Sequence, residues 1–351
     1  MPSAAIPLDP PPAAAPVLPV LTDALLGVER VFEEHLSSDL PPVSRLCRHV
    51  ARYRGKMVRP TLVLLAGLAA HPHASAHTPA SLLTNDHLVL GAVCEMVHMA
   101  TLVHDDVLDE AATRRRGSTI NALHGNEAAV MLGDYLIASA YELCARLPDQ
   151  RAARRIGRAS MILCEGELLQ LHHRDDWSVD EDTYLEIVDR KTAELIAAAA
   201  ALGAAYAGAP EPVIAAVESF ARHVGIAFQI QDDLLDLTGS EDVVGKSVGR
   251  DLQKGKLTLP LIHHLAAATP TLRGETLRIL EDARLREAAH LPADAGAALL
   301  RALAATNSIE HARDASRARI EHALASLRTL PESPARALLE HLAQTTITRA
   351  A

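Results

Sequence analysis

Aromatic side chains are nearly absent: one Trp, five Tyr and three Phe make up 3% of 351 residues. Any core must therefore be filled by small and aliphatic side chains. β-Branched runs that mark sheets are also scarce, whereas Ala and Leu, the strongest apolar helix formers, dominate. Basic residues fall short of acidic ones, 34 against 44, for a net charge of −10. That balance excludes a general nucleic-acid surface but not an anionic ligand held by a local cluster. No CxxC pair exists. Cys47, Cys94, Cys144 and Cys164 are far apart, each in a helical-looking stretch, and read as reduced core thiols. The most apolar stretch, 193–209, is mostly Ala and shorter than the roughly 20 apolar residues a bilayer requires. It reads as a tightly packed core helix. The opening MPSAAIPLDPPPAAAPVLPV lacks the basic flank and unbroken apolar block of a signal peptide and reads as a disordered leader over 1–20. The expected compartment is the cytoplasm.

With 49% hydrophobic residues, the rest of the chain is able to bury a large core. Apolar residues recur at three and four positions, predicting helices near 21–40, 60–70, 85–109, 126–146, 151–172, 180–207, 212–238 and 257–268, with shorter ones to the C-terminus. Breaks at 71–81, 114–125, 209–212 and 239–255 are short, and no repeat at solenoid spacing occurs. The economical reading is all-α: one helical domain over 21–351, a bundle around a central apolar cavity.

Two segments carry chemistry. LVHDDVLDE holds Asp105, Asp106 and Asp109, and QIQDDLLDL holds Asp232, Asp233 and Asp236. Both have the spacing i, i+1, i+4, which on a helix places the first and last carboxylates about 40° apart, one turn from each other, so all three are expected to share one face. Three like charges on one turn repel, and both triads sit among aliphatic residues, where an ordinary acidic surface would not. A hard cation resolves the repulsion: Mg²⁺ takes oxygen ligands and bridges a few carboxylates to substrate phosphates. Basic groups of complementary sign flank the triads. Arg114, Arg115 and Arg116 follow the first; Lys56 and Arg59 open an early helix; Lys191 precedes an Ala-rich one; Lys246, Lys254 and Lys256 follow the second triad.

Together these blocks resemble the trans-isoprenyl diphosphate synthase (polyprenyl synthetase) family from about Arg45 to Leu265. HDDVLDEAATRRR and GIAFQIQDDLLDLTG are similar to its two aspartate-rich motifs, and GKSVGRDLQKGKLTLPLI to its lysine loop. GNEAAVMLGDYL and EGELLQ match further blocks. The resemblance implies an isoprenoid-synthase bundle. It also implies Mg²⁺-dependent condensation of isopentenyl diphosphate with an allylic diphosphate by ionisation, condensation and elimination, giving an all-trans product of geranylgeranyl length or longer. By the same resemblance both triads bind three Mg²⁺ ions and the allylic diphosphate, which Arg114, Lys191, Lys246 and Lys256 clamp. Lys56, Arg59, His98 and Arg115 hold isopentenyl diphosphate. Thr192 and Gln229 turn oxygen dipoles toward the carbocation, and Phe228 lines the junction of the two sites. A homodimer is implied as well. Three positions depart from the family pattern: Arg54, Met57 and Arg116 stand where Gly, Arg and Gly are usual, which bears on isopentenyl diphosphate affinity.

Product length should depend on Ala100 and Thr101, one turn before the first triad on the same face. Both are small, so the channel is expected to continue past them to a floor at Tyr141. Hexaprenyl to octaprenyl products are favoured over farnesyl, with geranylgeranyl left open. Three other readings compete. A class I terpene cyclase would need no isopentenyl site, and a regulatory subunit of a heteromeric synthase would lack the triads. A di-iron carboxylate bundle would use Glu95/His98 and Glu287/His290 but leaves six aspartates unexplained.

Overall fold

The computed structural model describes residues 9–53, 55–72, 81–114, 117–238, 250–285 and 293–348. Its helices are α1 (Leu18–His35), α2 (Pro41–Val50), α3 (Val58–Ala70), α4 (Asn85–Leu108), α5 (Ile120–His124), α6 (Asn126–Ala145), α7 (Arg151–His172), α8 (Glu181–Val188), α9 (Glu194–Tyr206), α10 (Glu211–Thr238), α11 (Arg250–Gln253), α12 (Leu259–Ala267), α13 (Pro270–Leu285), α14 (Ala293–Ala305), α15 (Ser308–Leu327) and α16 (Pro334–Thr348). A π-helical turn, Asp189–Ala193, joins α8 to α9. Among the described residues the only sheet is a two-residue pairing of β1 (Thr113–Arg114) with β2 (Gly117–Ser118). The all-α expectation holds. The leader differs from its reading as disordered: Pro12–Val17 is a 3₁₀ turn running into α1, with Ala14 and Val17 buried. Proline fits the first turn of a helix, where its missing N–H is not needed, and the two buried side chains offset the cost of ordering.

The described residues fall into two compact units. One comprises 1–161, 195–221 and 324–342; the other comprises 162–194, 222–323 and 343–351. In the first, α4 packs against α1, α3 and α6. A Thr84–His87 capping box starts α4, satisfying backbone donors that the first turn leaves unpaired. The Ala-rich stretch of α9 is buried throughout 197–201, as its composition predicts. Its Gly203 lies so close to α3 that an added Cβ would stand 2.1 Å from the Val63 carbonyl oxygen. Cys47, Cys94 and Cys144 are buried, but Cys164, expected in the core, is exposed on α7. It falls on the solvent stripe with Arg158, Met161 and Leu168.

In the second unit, Ile226, Ile230 and Leu234 of α10 cluster with Tyr184, Val188, Leu259 and Ile262. Leu237 joins Leu252, Leu261, Leu280, Leu299 and Leu303. Each buried Leu or Ile contributes roughly 1.5–3 kcal/mol by leaving water, enough to anchor a helix that carries three acids. By length and composition alone α4, α6 and α10 are apolar enough to cross a membrane, longer than the Ala-rich stretch singled out from sequence. In α4, 67% of the most apolar window is buried inside the protein.

Candidate active site

In both triads the middle aspartate is the buried one. Asp106 is 1% exposed and Asp233 5%, while Asp105, Asp109 and Asp236 are half-buried and Asp232 is exposed. Residue i+1 lies about 100° around the helix from residue i. The first and last acids therefore share the open face, while the middle one turns into the wall instead of joining them as expected from the spacing.

In the first unit, Arg114 donates from Nε and Nη2 to Asp106 Oδ1, each at 2.8 Å. Asp106 Oδ2 is buried with no hydrogen-bond partner among the described residues. Burial raises the Asp106 pKa, and the Arg114 charge opposes that rise without cancelling it. Asn121 Nδ2 donates to the carbonyls of Asp106 and Ala111, fixing the chain as it leaves α4. Tyr53 Oη accepts the Ile120 N–H at 2.9 Å, and burial, followed by the Asp106 charge, pushes its pKa up to about 12. His104 leans on α6: its Nε2 is 3.2 Å from the Val130 carbonyl, and a Cβ at Gly133 would stand 2.1 Å from that nitrogen. Gly133 of the GNEAAVMLGDYL block is thus explained by the histidine preceding the triad.

Arg59, at the start of α3, has a buried Nε without a hydrogen-bond partner among the described residues. Burial lowers its pKa, and the charge of Glu95 on α4 works against that. Lys56 is exposed and His98 half-buried. Met57, where the family has Arg, is buried and adopts φ 52° at the N-cap of α3, a left-handed conformation uncommon outside glycine. Ala100 is fully buried, Thr101 Oγ1 donates to the His98 carbonyl at 2.8 Å, and Tyr141 is 38% exposed on α6 beside Gly157.

In the second unit a cavity of about 120 Å³ gathers Lys191, Thr192, Gln229, Asp233 and Lys256 with Tyr184, Asp251, Gln170 and His173. A polar chain crosses it. Thr192 Oγ1 donates to Gln229 Oε1 at 2.9 Å, Gln229 Nε2 to Asp233 Oδ1 at 2.8 Å, and Tyr184 Oη to Asp233 Oδ2 at 2.6 Å. Lys191 pairs with Glu167 and lies 3.4 Å from Gln170 Oε1. Asp236 Oδ2 accepts the Asp251 N–H at 3.2 Å. The Asp233 pKa is driven well above its usual range, chiefly by burial and then by the charge of Asp251. Phe228 is 37% exposed on α10. Arg54, Arg115, Arg116, Lys246, Glu287 and His290 lie outside the described residues.

Tyr184 and Asp251 were not legible as site residues; Glu167 and Gln170 stand in the EGELLQ block, which was noted without a role. Tyr184→Phe removes one of two donors to a buried carboxylate, and a buried acceptor left short costs about 1–3 kcal/mol. Denaturant titration of this variant should give that loss of stability.

Among the described residues no three His, Cys, Asp or Glu side chains form a ready-made ion cage. The donors nonetheless fit a hard divalent ion. They are carboxylate oxygens, the ligands such an ion takes where substrate phosphates complete the coordination.

Residues 41–293 match the polyprenyl synthetase family model. The chain belongs to the polyprenyl synthetase family. It is 33% identical over 325 residues to the octaprenyl diphosphate synthase of Escherichia coli K12, covering 93% of this chain and 95% of that one. It superposes on a decaprenyl diphosphate synthase from Rhodobacter capsulatus with a TM-score of 0.85 at 32% identity, over 96% of this chain and 99% of the other. A Caulobacter crescentus CB15 polyprenyl synthase, complexed with calcium and isoprenyl diphosphate, gives 0.84 at 30% identity, covering 97% of this chain and 100% of that one. The resemblance read from the motifs is therefore correct, and so is the isoprenoid-synthase fold. Membership makes this polyprenyl synthetase a prenyltransferase that builds trans-polyprenyl diphosphates. The family works on isoprenyl diphosphates with divalent metal. A terpene cyclase is set aside.

Proposed function

We propose that this polyprenyl synthetase extends an allylic diphosphate with isopentenyl diphosphate in a Mg²⁺-dependent reaction, giving products of hexaprenyl to octaprenyl length. The single observation that carries the reading is the pair of triads, each with its middle carboxylate buried and its outer two more open. Three Mg²⁺ ions bound between such carboxylates and the diphosphate would supply the positive charge that ionisation requires. The protein's own part is positioning and charge. Arg114, Lys191 and Lys256, with Lys246, neutralise the diphosphate as the C1–O bond breaks and its electron pair leaves with the phosphate. Thr192 and Gln229 present oxygen dipoles to the allylic cation, and Phe228 borders the junction of the two substrates.

Isopentenyl diphosphate is assigned to Lys56, Arg59, His98 and Arg115. The buried, unpartnered Arg59 Nε is a donor that an anionic ligand would satisfy. The double bond of isopentenyl diphosphate supplies its electron pair to C1, and the C2 proton passes to the released diphosphate. Ala, Leu and Ile around the triads exclude water, which would otherwise capture the cation.

Both units, 21–351 together, are proposed to act as one catalytic domain in the cytoplasm. A homodimer is proposed as the working form; Val130 and Met131 of α6 are large apolar side chains left exposed on a single chain. Both triads are present, so a purely regulatory subunit is disfavoured. The test uses Mg²⁺, labelled isopentenyl diphosphate and primers of increasing length, with hydrolysed products sized by mass. Incorporation requiring both substrates supports the reading. Hydrocarbon release from an allylic diphosphate alone would refute it.

A further inference from the structure

Lys191 and Thr192 lie inside the π-turn Asp189–Ala193, and one arginine from another helix bridges its two ends. Arg222 of α10 donates from Nη1 to Asp189 Oδ1 at 2.7 Å and from Nη2 to Glu194 Oε2 at 2.6 Å. These acids are the first residue of the turn and the residue immediately after it, five positions apart. On an α-helix residues five apart diverge by about 140°, too far for one guanidinium to reach both. A turn closed by i→i+5 bonds brings them round to the same side. The bidentate fork of Arg222 is thus satisfied in the π register and loses a partner in the α register. The Glu194 carboxylate is 4% exposed, so the lost partner would be a buried charge.

Helix α7 also packs closely on the turn. A Cβ at Gly166 would stand 2.8 Å from Arg190 Cβ and 2.9 Å from the Lys191 backbone nitrogen. Arg190 reaches back to Glu165 at 2.6 Å. The turn is therefore clamped between a glycine that permits close approach and an arginine that fixes its register. The extra residue of a π-turn sets where the following side chains point: return to α geometry would rotate Lys191 and Thr192 by about 100° relative to one flanking helix. Thr192 would then lose Gln229, and Lys191 would lose Glu167 and Gln170.

We infer that Arg222 is a positioning residue: it keeps the π-turn wound so that Lys191 and Thr192 reach the allylic diphosphate side of the reaction. This rests on the assignment of those two residues proposed above. Ionisation should depend on it, and isopentenyl diphosphate binding should not.

The experiment is a double-mutant cycle on the full chain with Mg²⁺ and both substrates. Arg222→Gln is expected to lower kcat about 10- to 100-fold, the scale of an ångström-level misplacement, with the KM for isopentenyl diphosphate unchanged within about twofold. Arg222→Lys, which reaches only one acid, should recover part of the loss. Asp189→Asn, which keeps the Glu194 pair, gives a milder version if Arg222→Gln folds poorly. In a Lys191→Met/Thr192→Val background, Arg222→Gln should cost little more, because the groups it positions are gone. An undiminished further loss there, or equal changes in both KM values, would overturn the clamp while leaving the site assignment intact. Full activity of Lys191→Met/Thr192→Val itself would overturn the assignment, and the clamp with it.

Discussion

Asp233→Asn should abolish most turnover and yet make the metal-free protein more stable. The Asp233 carboxylate is 5% exposed, beside the charges of Asp251 and Asp232, and its pKa lies well above the ordinary 3.8. The fold thus favours the protonated form. That contribution to stability is complete below about pH 3.8 and is lost as pH rises through the raised folded-state value. Asparagine has the shape of the protonated acid: its oxygen accepts from Gln229 Nε2, and its NH₂ donates to Tyr184 Oη. Replacing an acid whose ionisation burial opposes should raise the melting temperature of the ion-free protein at neutral pH by about 2–4 °C, or about 1 kcal/mol. Loss of a carboxylate proposed to bind metal should cut kcat by about 10³, on the order of 4 kcal/mol of transition-state stabilisation. Thermal melts with and without Mg²⁺ check the sign: added ion should stabilise the parent and have little effect on the variant. A less stable variant that retained turnover would contradict the assignment.

Ala100→Phe should shorten the product. Ala100 is fully buried on α4, about one turn before Asp105, where a growing chain would pass if it runs along that helix. A phenyl ring there closes the path, so products should fall from the hexaprenyl–octaprenyl range to farnesyl or geranylgeranyl. If no channel passes Ala100, the ring instead overpacks the core, costing about 1–3 kcal/mol. Mass analysis of hydrolysed products separates the cases: lowered stability with an unchanged product series rejects the channel. Tyr141, proposed as its floor, is part of the same test, since Tyr141→Ala should lengthen the product.

What the sequence revealed and what it hid follow from the range of the interactions. Helical periodicity marked α4, α6, α7 and α10 within a few residues, because a core-facing stripe repeats locally. The acidic spacing is equally local. It did not say that Asp106 and Asp233 turn into the wall, since their burial depends on Arg114 folding back and on Tyr184, 49 residues from Asp233. Arg222 looked like an ordinary helix charge, and its partners are 28 and 33 residues away. The π-turn has no local signature in DRKTA. Met57 marked a departure from the family pattern, but its left-handed backbone was not foreseen. The Pro/Ala-rich leader looked structureless because composition does not record that Ala14 and Val17 find a surface to bury against.

Diffraction from crystals grown with Mn²⁺ in place of Mg²⁺ and with inorganic pyrophosphate tests the central claim most directly. Anomalous peaks should sit on the carboxylates of both triads and share one pyrophosphate. Peaks at only one triad, or at two sites with no phosphate in common, would contradict it.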